Sequence, residues 1–130
     1  MPFTNISLFY DDLRKNLKVI FLQDRILIIF FGIALVLNLL LYFGLYWQIQ
    51  PSAEPVFLHY NIYFGIDLIG GWQEVYLMPI VGSFLLVINL ILAYFFYHSE
   101  KIVSYLLLGI SLLIEVLLLV GGVMVIMVNQ

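Results

Sequence analysis

The side chains able to do chemistry in this chain are few, and Glu115 stands out among them. It lies in the run Ile102 to Val128, which holds no other acidic or basic residue. Two further apolar runs each carry an asparagine near the middle, Asn38 between Ile26 and Trp47 and Asn89 between Leu77 and Tyr97. Asn38 is 13 residues past Arg25 and Glu115 is 14 past Lys101. At 1.5 Å per residue of helix, both sit roughly 20 Å from those basic residues and so at one level. Asn89 lies nine residues before His98, roughly 6 Å nearer the basic end. A carboxyl group in the interior of a bilayer is costly and must face other helices or water. Without a cation beside it, Glu115 is expected to keep its proton and donate to an asparagine carbonyl. Ser104, Ser111, Glu115 and Gly122 recur at helical spacing, as do Gly82, Asn89 and Ala93, which marks two faces suited to close helix approach. The expectation is a polar core in which Asn38, Asn89 and Glu115 meet, with Ser111 beside them. Such a core serves either as a proton or ion relay or as an interhelical hydrogen bond that fixes register, worth about 0.6–2 kcal/mol. The second role is favoured, because one acid without a basic partner makes a thin transporter.

A second group of candidates lies in residues 48–76. His59, Asp67 and Glu74 could bind a cation or ligand, or simply cap turns; Asp67 close to Gly65 suits a turn. From 56 to 64 the residues alternate, with Leu58, Tyr60, Ile62 and Phe64 on one face and His59, Asn61 and Tyr63 on the other, the period-two pattern of a short strand. Gly65 and Gly70-Gly71 mark turns, and Gln50-Pro51-Ser52-Ala53-Glu54-Pro55 is a turn-rich lead-in. The loop is expected to be ordered, hairpin-like, and too apolar to float in water. It should fold over one end of the helices or lie in the interface beside Trp47 and Trp72.

The run from His59 to Trp72 resembles the signature of a small bacterial membrane domain of unknown function, also found in proteins related to peptide-toxin immunity proteins. That signature has a proline-rich approach, His-Phe-Asn, Gly, Asp and Gly-Trp between two spans. Pro55, His59, Asn61, Gly65, Asp67, Gly71 and Trp72 occupy comparable positions. One extra residue separates Asn61 from Gly65, and Ile66 stands where a proline usually precedes the acid. The larger helical region of immunity proteins has no counterpart. As a whole the chain resembles short three-span bacterial proteins, including those of small-genome phyla. The resemblance implies a bacterial cytoplasmic membrane and no biochemical activity.

The elements that must position these residues follow from composition. The chain has 130 residues, 65% hydrophobic and 10% charged, with a mean hydropathy of +1.13. Soluble domains carry roughly 45–50% apolar and about 25% charged residues, so the solvent implied here is lipid. The expected fold is all-α: a three-helix transmembrane domain, 26–130, with spans 26–47, 77–97 and 102–128. Each is long enough for a bilayer core of about 30 Å. Pro79 falls in the first turn of its span, where a missing amide hydrogen costs little. Gly121-Gly122 is expected to loosen the last turns of the third. Ahead of the spans, residues 1–25 read as an amphipathic helix that lies in the membrane interface or docks on a partner, the alternative being packing against the rest of the protein. Ile6, Phe9, Tyr10, Leu13, Leu17, Ile20 and Phe21 form its apolar face; Asp11, Asp12, Arg14, Lys15 and Lys18 lie opposite. It lacks the cleavage site of a secretory signal.

Orientation follows from the basic residues. Arg14, Lys15, Lys18 and Arg25 precede the first span, Lys101 lies between the second and third, and loop 48–76 has neither Lys nor Arg. By the positive-inside rule the N-terminus and the 98–101 link face the cytoplasm, while the loop and C-terminus face outward.

The composition also excludes functions. With no cysteine there is no disulfide, thiolate metal site or thiol catalysis. With five basic residues and a net charge of -3 there is no nucleic-acid surface. No phosphate loop, zinc motif or nucleophile elbow is present. No catalytic, cofactor-binding or metal-ligating set is visible. The expected partners are the lipid bilayer and either a second copy or another membrane protein. The first reading is a structural or accessory membrane protein. Behind it stand a proton- or ion-conducting oligomer centred on Glu115, and a sensor or immunity-type binder that uses the loop motif His59, Asn61, Gly65, Asp67, Gly71 and Trp72.

Overall fold

A computed structural model describes Leu8, Asp11, Asp12, Lys15 and residues 23–130 of the chain. The interfacial helix expected over 1–25 lies largely outside the described residues; Leu8, Asp11, Asp12, Lys15 and Gln23 are helical and exposed. The rest comprises α1 (Arg25–Gln48), β1 (Val56–Asn61), β2 (Gly65–Gly70), a 3₁₀ turn (Trp72–Tyr76), α2 (Leu77–Phe96) and α3 (Lys101–Val128). The three helices, counting the 3₁₀ turn with α2, are each long and apolar enough to cross a membrane.

Local chemistry sets the boundaries. Asp24 caps α1 by accepting a hydrogen bond from the Ile26 amide at 3.1 Å, the service a short acidic side chain gives an orphan N–H. Glu100 ends the tight link between α2 and α3, its amide donating to Phe96 O at 2.7 Å. α3 runs unbroken through Gly121-Gly122, so the expected loosening is absent. Gly122 instead admits α1: a β-carbon there would clash with Leu41 Cδ1. In lipid no hydrophobic force pulls helices together, so such close contacts carry the packing.

α3 is the central helix and packs on both α1 and α2. Its buried line is Ser104, Leu108, Ser111, Glu115, Gly122 and Val125. From α1 come Leu27, Ala34, Asn38, Leu41 and Leu45, and from α2 Pro79, Gly82, Leu86 and Ala93. The core is layered. One apolar cluster lies toward the α2–α3 link, around Leu27, Ala93 and Leu108. Another lies toward the hairpin: Leu41, Leu45, Ile49, Val56, Leu58, Val75 and Val125. Polar residues lie between them.

The helices are unequal at the hairpin end. α3 continues 13 residues past Glu115 to Val128, about 20 Å of rise, whereas α2 starts five residues before Gly82, about 8 Å. The 3₁₀ turn, at about 2 Å per residue, makes up most of the difference, and the hairpin covers the top. β1 and β2 pair antiparallel, with Val56 opposite Gly70, Phe57 opposite Ile69, His59 opposite Leu68, Tyr60 opposite Ile66 and Asn61 opposite Gly65. Leu58 and Asp67 have no partner in this register, so the pairing slips twice. The expected strand over 56–64 therefore stops at Asn61, and strict alternation fails: Val56 and Leu58 are buried, while Tyr60, Ile62 and Phe64 are exposed. The turn closes because Asn61 Oδ1 accepts from the Tyr63 amide at 2.9 Å and Gly65 adopts φ 75°, a conformation only glycine takes without strain.

Besides the packing of Val56 and Leu58 against Val125, one side chain just past α3 bonds to the hairpin. Asn129 Oδ1 accepts from the Phe57 amide at 2.9 Å, and its Nδ2 donates to Phe57 O at 2.7 Å and Val125 O at 2.8 Å. The amide thus acts as one rung of a neighbouring strand. Asn129→Ala is expected to free the hairpin alone, at about 1–3 kcal/mol of local stability. Hydrogen exchange checks this: the Phe57 and Leu58 amides should exchange faster while those of α1 and α3 do not. Unchanged protection of Phe57 would contradict the clamp.

Candidate functional site

The central site is built by three elements around one amide. Asn38 reaches inward from α1, Glu115 from α3, and α2 presents Pro79, Gly82 and Ser83. Asn38 Nδ2 donates to both oxygens of Glu115, at 3.2 and 3.1 Å, and to Pro79 O at 3.0 Å. Asn38 Oδ1 accepts from Ser83 Oγ at 2.9 Å. Glu115 is 1% exposed and meets no cation among the described residues. Gly82 is the residue that lets α2 approach: a β-carbon there would stand 2.7 Å from Asn38 Nδ2 and 2.8 and 2.9 Å from the Glu115 oxygens.

Asn89 is not in this group. It donates to Ser111 Oγ at 2.9 Å, and Ser111 donates to Leu107 O at 3.1 Å. The expected three-residue cluster is therefore two layers, Asn38–Glu115 and Asn89–Ser111, one helical turn apart on α3. The cause is the depth difference along α2, which puts Asn89 beside Ser111 rather than beside Glu115. A third tie, Ser104 Oγ to Ala93 O at 2.7 Å, continues this ladder toward the link. Beyond Glu115 in the other direction the core is the apolar hairpin-end cluster.

A further polar centre closes the link end, built from residues that no local pattern groups together. Asp24 Oδ2 accepts from Tyr105 Oη at 2.6 Å, from Tyr97 Oη at 3.0 Å and from Lys101 Nζ at 3.0 Å. The Lys101 ammonium lies 5.4 and 5.5 Å from the Tyr97 and Tyr105 ring centroids, within cation–π range. Burial works to raise the Asp24 carboxyl, but hydrogen bonds from Tyr105, Lys101 and Tyr97 and the lysine charge outweigh it and hold the group at about 2. The available signal was that Asp24 is the last acid before an uncharged run whose return partner, Lys101, lies at the same end.

The loop motif divides. His59 Nδ1 and Asp67 Oδ1 lie 2.6 Å apart across the hairpin, with both side chains largely exposed. Glu74 is elsewhere, accepting from the Gly71 amide at 3.0 Å. Asn61 and Gly65 shape the turn, and Trp72 packs edge-on against Tyr76, centroids 6.4 Å apart. No three His, Cys, Asp or Glu residues converge for a metal among the described residues. Comparison with family models, curated proteins and solved structures finds no match.

Two outcomes follow. Gly82→Ala forces Asn38 and Glu115 apart and should cost about 1–3 kcal/mol in a detergent unfolding titration. Gly121→Ala, where a β-carbon meets open space, should cost nothing comparable; equal losses would remove the special role of Gly82. Asp24 is more acidic folded than unfolded, so its contribution is complete above about pH 4 and disappears as pH falls toward 2. Asp24→Ala should therefore be less stable than wild type by about 2 kcal/mol near pH 6. The gap should close on acidification in thermal melts, and a pH-independent gap would contradict the ion-pair account.

Proposed function

We propose that this chain is a non-enzymatic accessory protein of a bacterial cytoplasmic membrane, acting by association with a second copy or a larger membrane protein through its lipid-facing helix surfaces. The observation that carries this reading is that the buried polar atoms are spent on one another. Among the described residues no buried side-chain nitrogen or oxygen lacks a partner. Groups satisfied internally build a structure; a substrate site keeps groups convergent and free. The bacterial location follows the loop resemblance. The reading puts the N-terminal segment in the cytoplasmic interface and the hairpin outside, in line with the basic residues.

Conduction by a single chain is disfavoured by the apolar cluster between Glu115 and the hairpin end, where Leu41, Leu45, Val75 and Val125 leave no polar step. The test pairs two measurements. Liposomes bearing wild type and Glu115→Gln should pass protons no faster than empty ones. Single cysteines at exposed positions on each helix, Val36 on α1, Phe84 on α2 and Leu113 on α3, should give a discrete crosslinked adduct from at least one face in native membranes. Proton flux lost in Glu115→Gln would instead establish the conducting oligomer, and a protein uncrosslinked from every helix face would overturn association.

A further inference from the structure

The tip of the hairpin carries the most exposed apolar side chains of the loop: Ile62, Tyr63 and Phe64 are 86%, 89% and 83% exposed. They follow one another in a turn held rigid by the Asn61 bond to Tyr63 and by the glycine conformation at Gly65. Alongside them Tyr60, Ile66, Leu68 and Ile69 are exposed too. A contiguous apolar surface of this kind is foreign to water and marks an interaction site.

Two observations identify the occupant. The first is level. Phe57 and Tyr60 share a cavity of about 170 Å³ with Met78, Gly121 and Met124. Gly121 is six residues past Glu115, about 9 Å, whereas Trp47 is nine past Asn38, about 14 Å. The same cavity reaches Val125 and Val128, and Phe57 is bonded to Asn129; since Asn38 and Glu115 touch, β1 borders helix residues on both sides of the belt tryptophan's level. The second is charge. Between Glu54 and Glu74 the chain has no Lys or Arg and one carboxylate, Asp67, already engaged with His59. Aromatic residues at headgroup level with no charge to desolvate are the chemistry of an interfacial anchor.

We propose that Ile62, Tyr63 and Phe64 insert into the lipid interface beside the bundle, making the hairpin a lipid-contacting wedge. This rests on the membrane-spanning reading, and the experiment separates the two. Because the chain has no cysteine, single-cysteine spin labels report one site each. Phe64→Cys and Tyr63→Cys in lipid vesicles are compared with Leu113→Cys on an exposed helix face and Glu54→Cys in the lead-in. The tip labels should collide with oxygen several-fold more, relative to a water-soluble nickel chelate, than the Glu54 label does. They should also lie shallower than the Leu113 label. Tip labels as nickel-accessible as Glu54 put the tip in water and overturn the proposal. Labels shielded from both reagents mean that protein covers the tip, which overturns it equally. A Leu113 label that is not oxygen-favoured would instead defeat the membrane-spanning reading itself.

Discussion

One carboxamide ties the three helices together. Asn38 leaves α1 and reaches α3 through Glu115 and α2 through Pro79 and Ser83. In a lipid solvent, apolar side chains gain nothing by leaving the hydrocarbon for each other, so helix association must come from close packing and polar contacts. The amide supplies the polar contact and dictates the packing. α2 comes near enough only because Gly82 has no side chain. With the heights of Asn38, Gly82 and Glu115 matched, the remaining register follows: Ser111 meets Asn89, Ser104 meets the Ala93 carbonyl, and Gly122 receives Leu41.

Much of this architecture was legible in the residue pattern. Long apolar runs, one of them interrupted by Glu115, match the three helices to within a residue or so, because hydropathy over twenty positions leaves few alternatives in lipid. Asn38 and Glu115 were found at one level by counting from the basic residues. The same counting placed Asn89 nearer the link, which is where it lies, although a single cluster was expected. The misreadings arose where contacts between distant segments decide. The double slip at Leu58 and Asp67 defeats period-two alternation and depends on which side chains the helix ends leave room for. Asp24 looks like the tail of an amphipathic segment until Tyr97, Tyr105 and Lys101 are folded against it. Asn129 carries no local signal, since its role is set by the edge of a strand some seventy residues away in sequence.

The bundle's buried polar ties lie between the link and Glu115, interleaved with the cluster around Leu27, Ala93 and Leu108, and the core of its hairpin half is apolar. Acid, lysine and tyrosines close one end; serines and asparagines step toward the centre; beyond Glu115 the buried side chains are aliphatic, with Trp72, Tyr76 and Met78 packed against them. That gradient suits a body whose interior is committed to holding shape and whose contacts with the surroundings are made by its exterior. The hairpin extends the exterior. It caps the unequal helices and presents its aromatic turn outward, fixed at the base by Asn129 and braced by His59 and Asp67.

The placement of the ties has a consequence for biosynthesis. α3 or its flank supplies a partner to Asp24, Asn38, Phe57, Asn89 and Ala93. As the chain leaves the ribosome, α1 and α2 can meet through Asn38, Pro79 and Ser83. Asp24 then lacks its lysine, Asn89 its serine and the first strand its amide rung. An interrupted translation product ending before α3 is thus a loosely held two-helix intermediate in which Asp24, Asn89 and Phe57 lack the partners that α3 and its flank supply. Arrival of α3 supplies all of these partners at once, so the polar ties of the fold are completed by its third helix and not by stepwise addition.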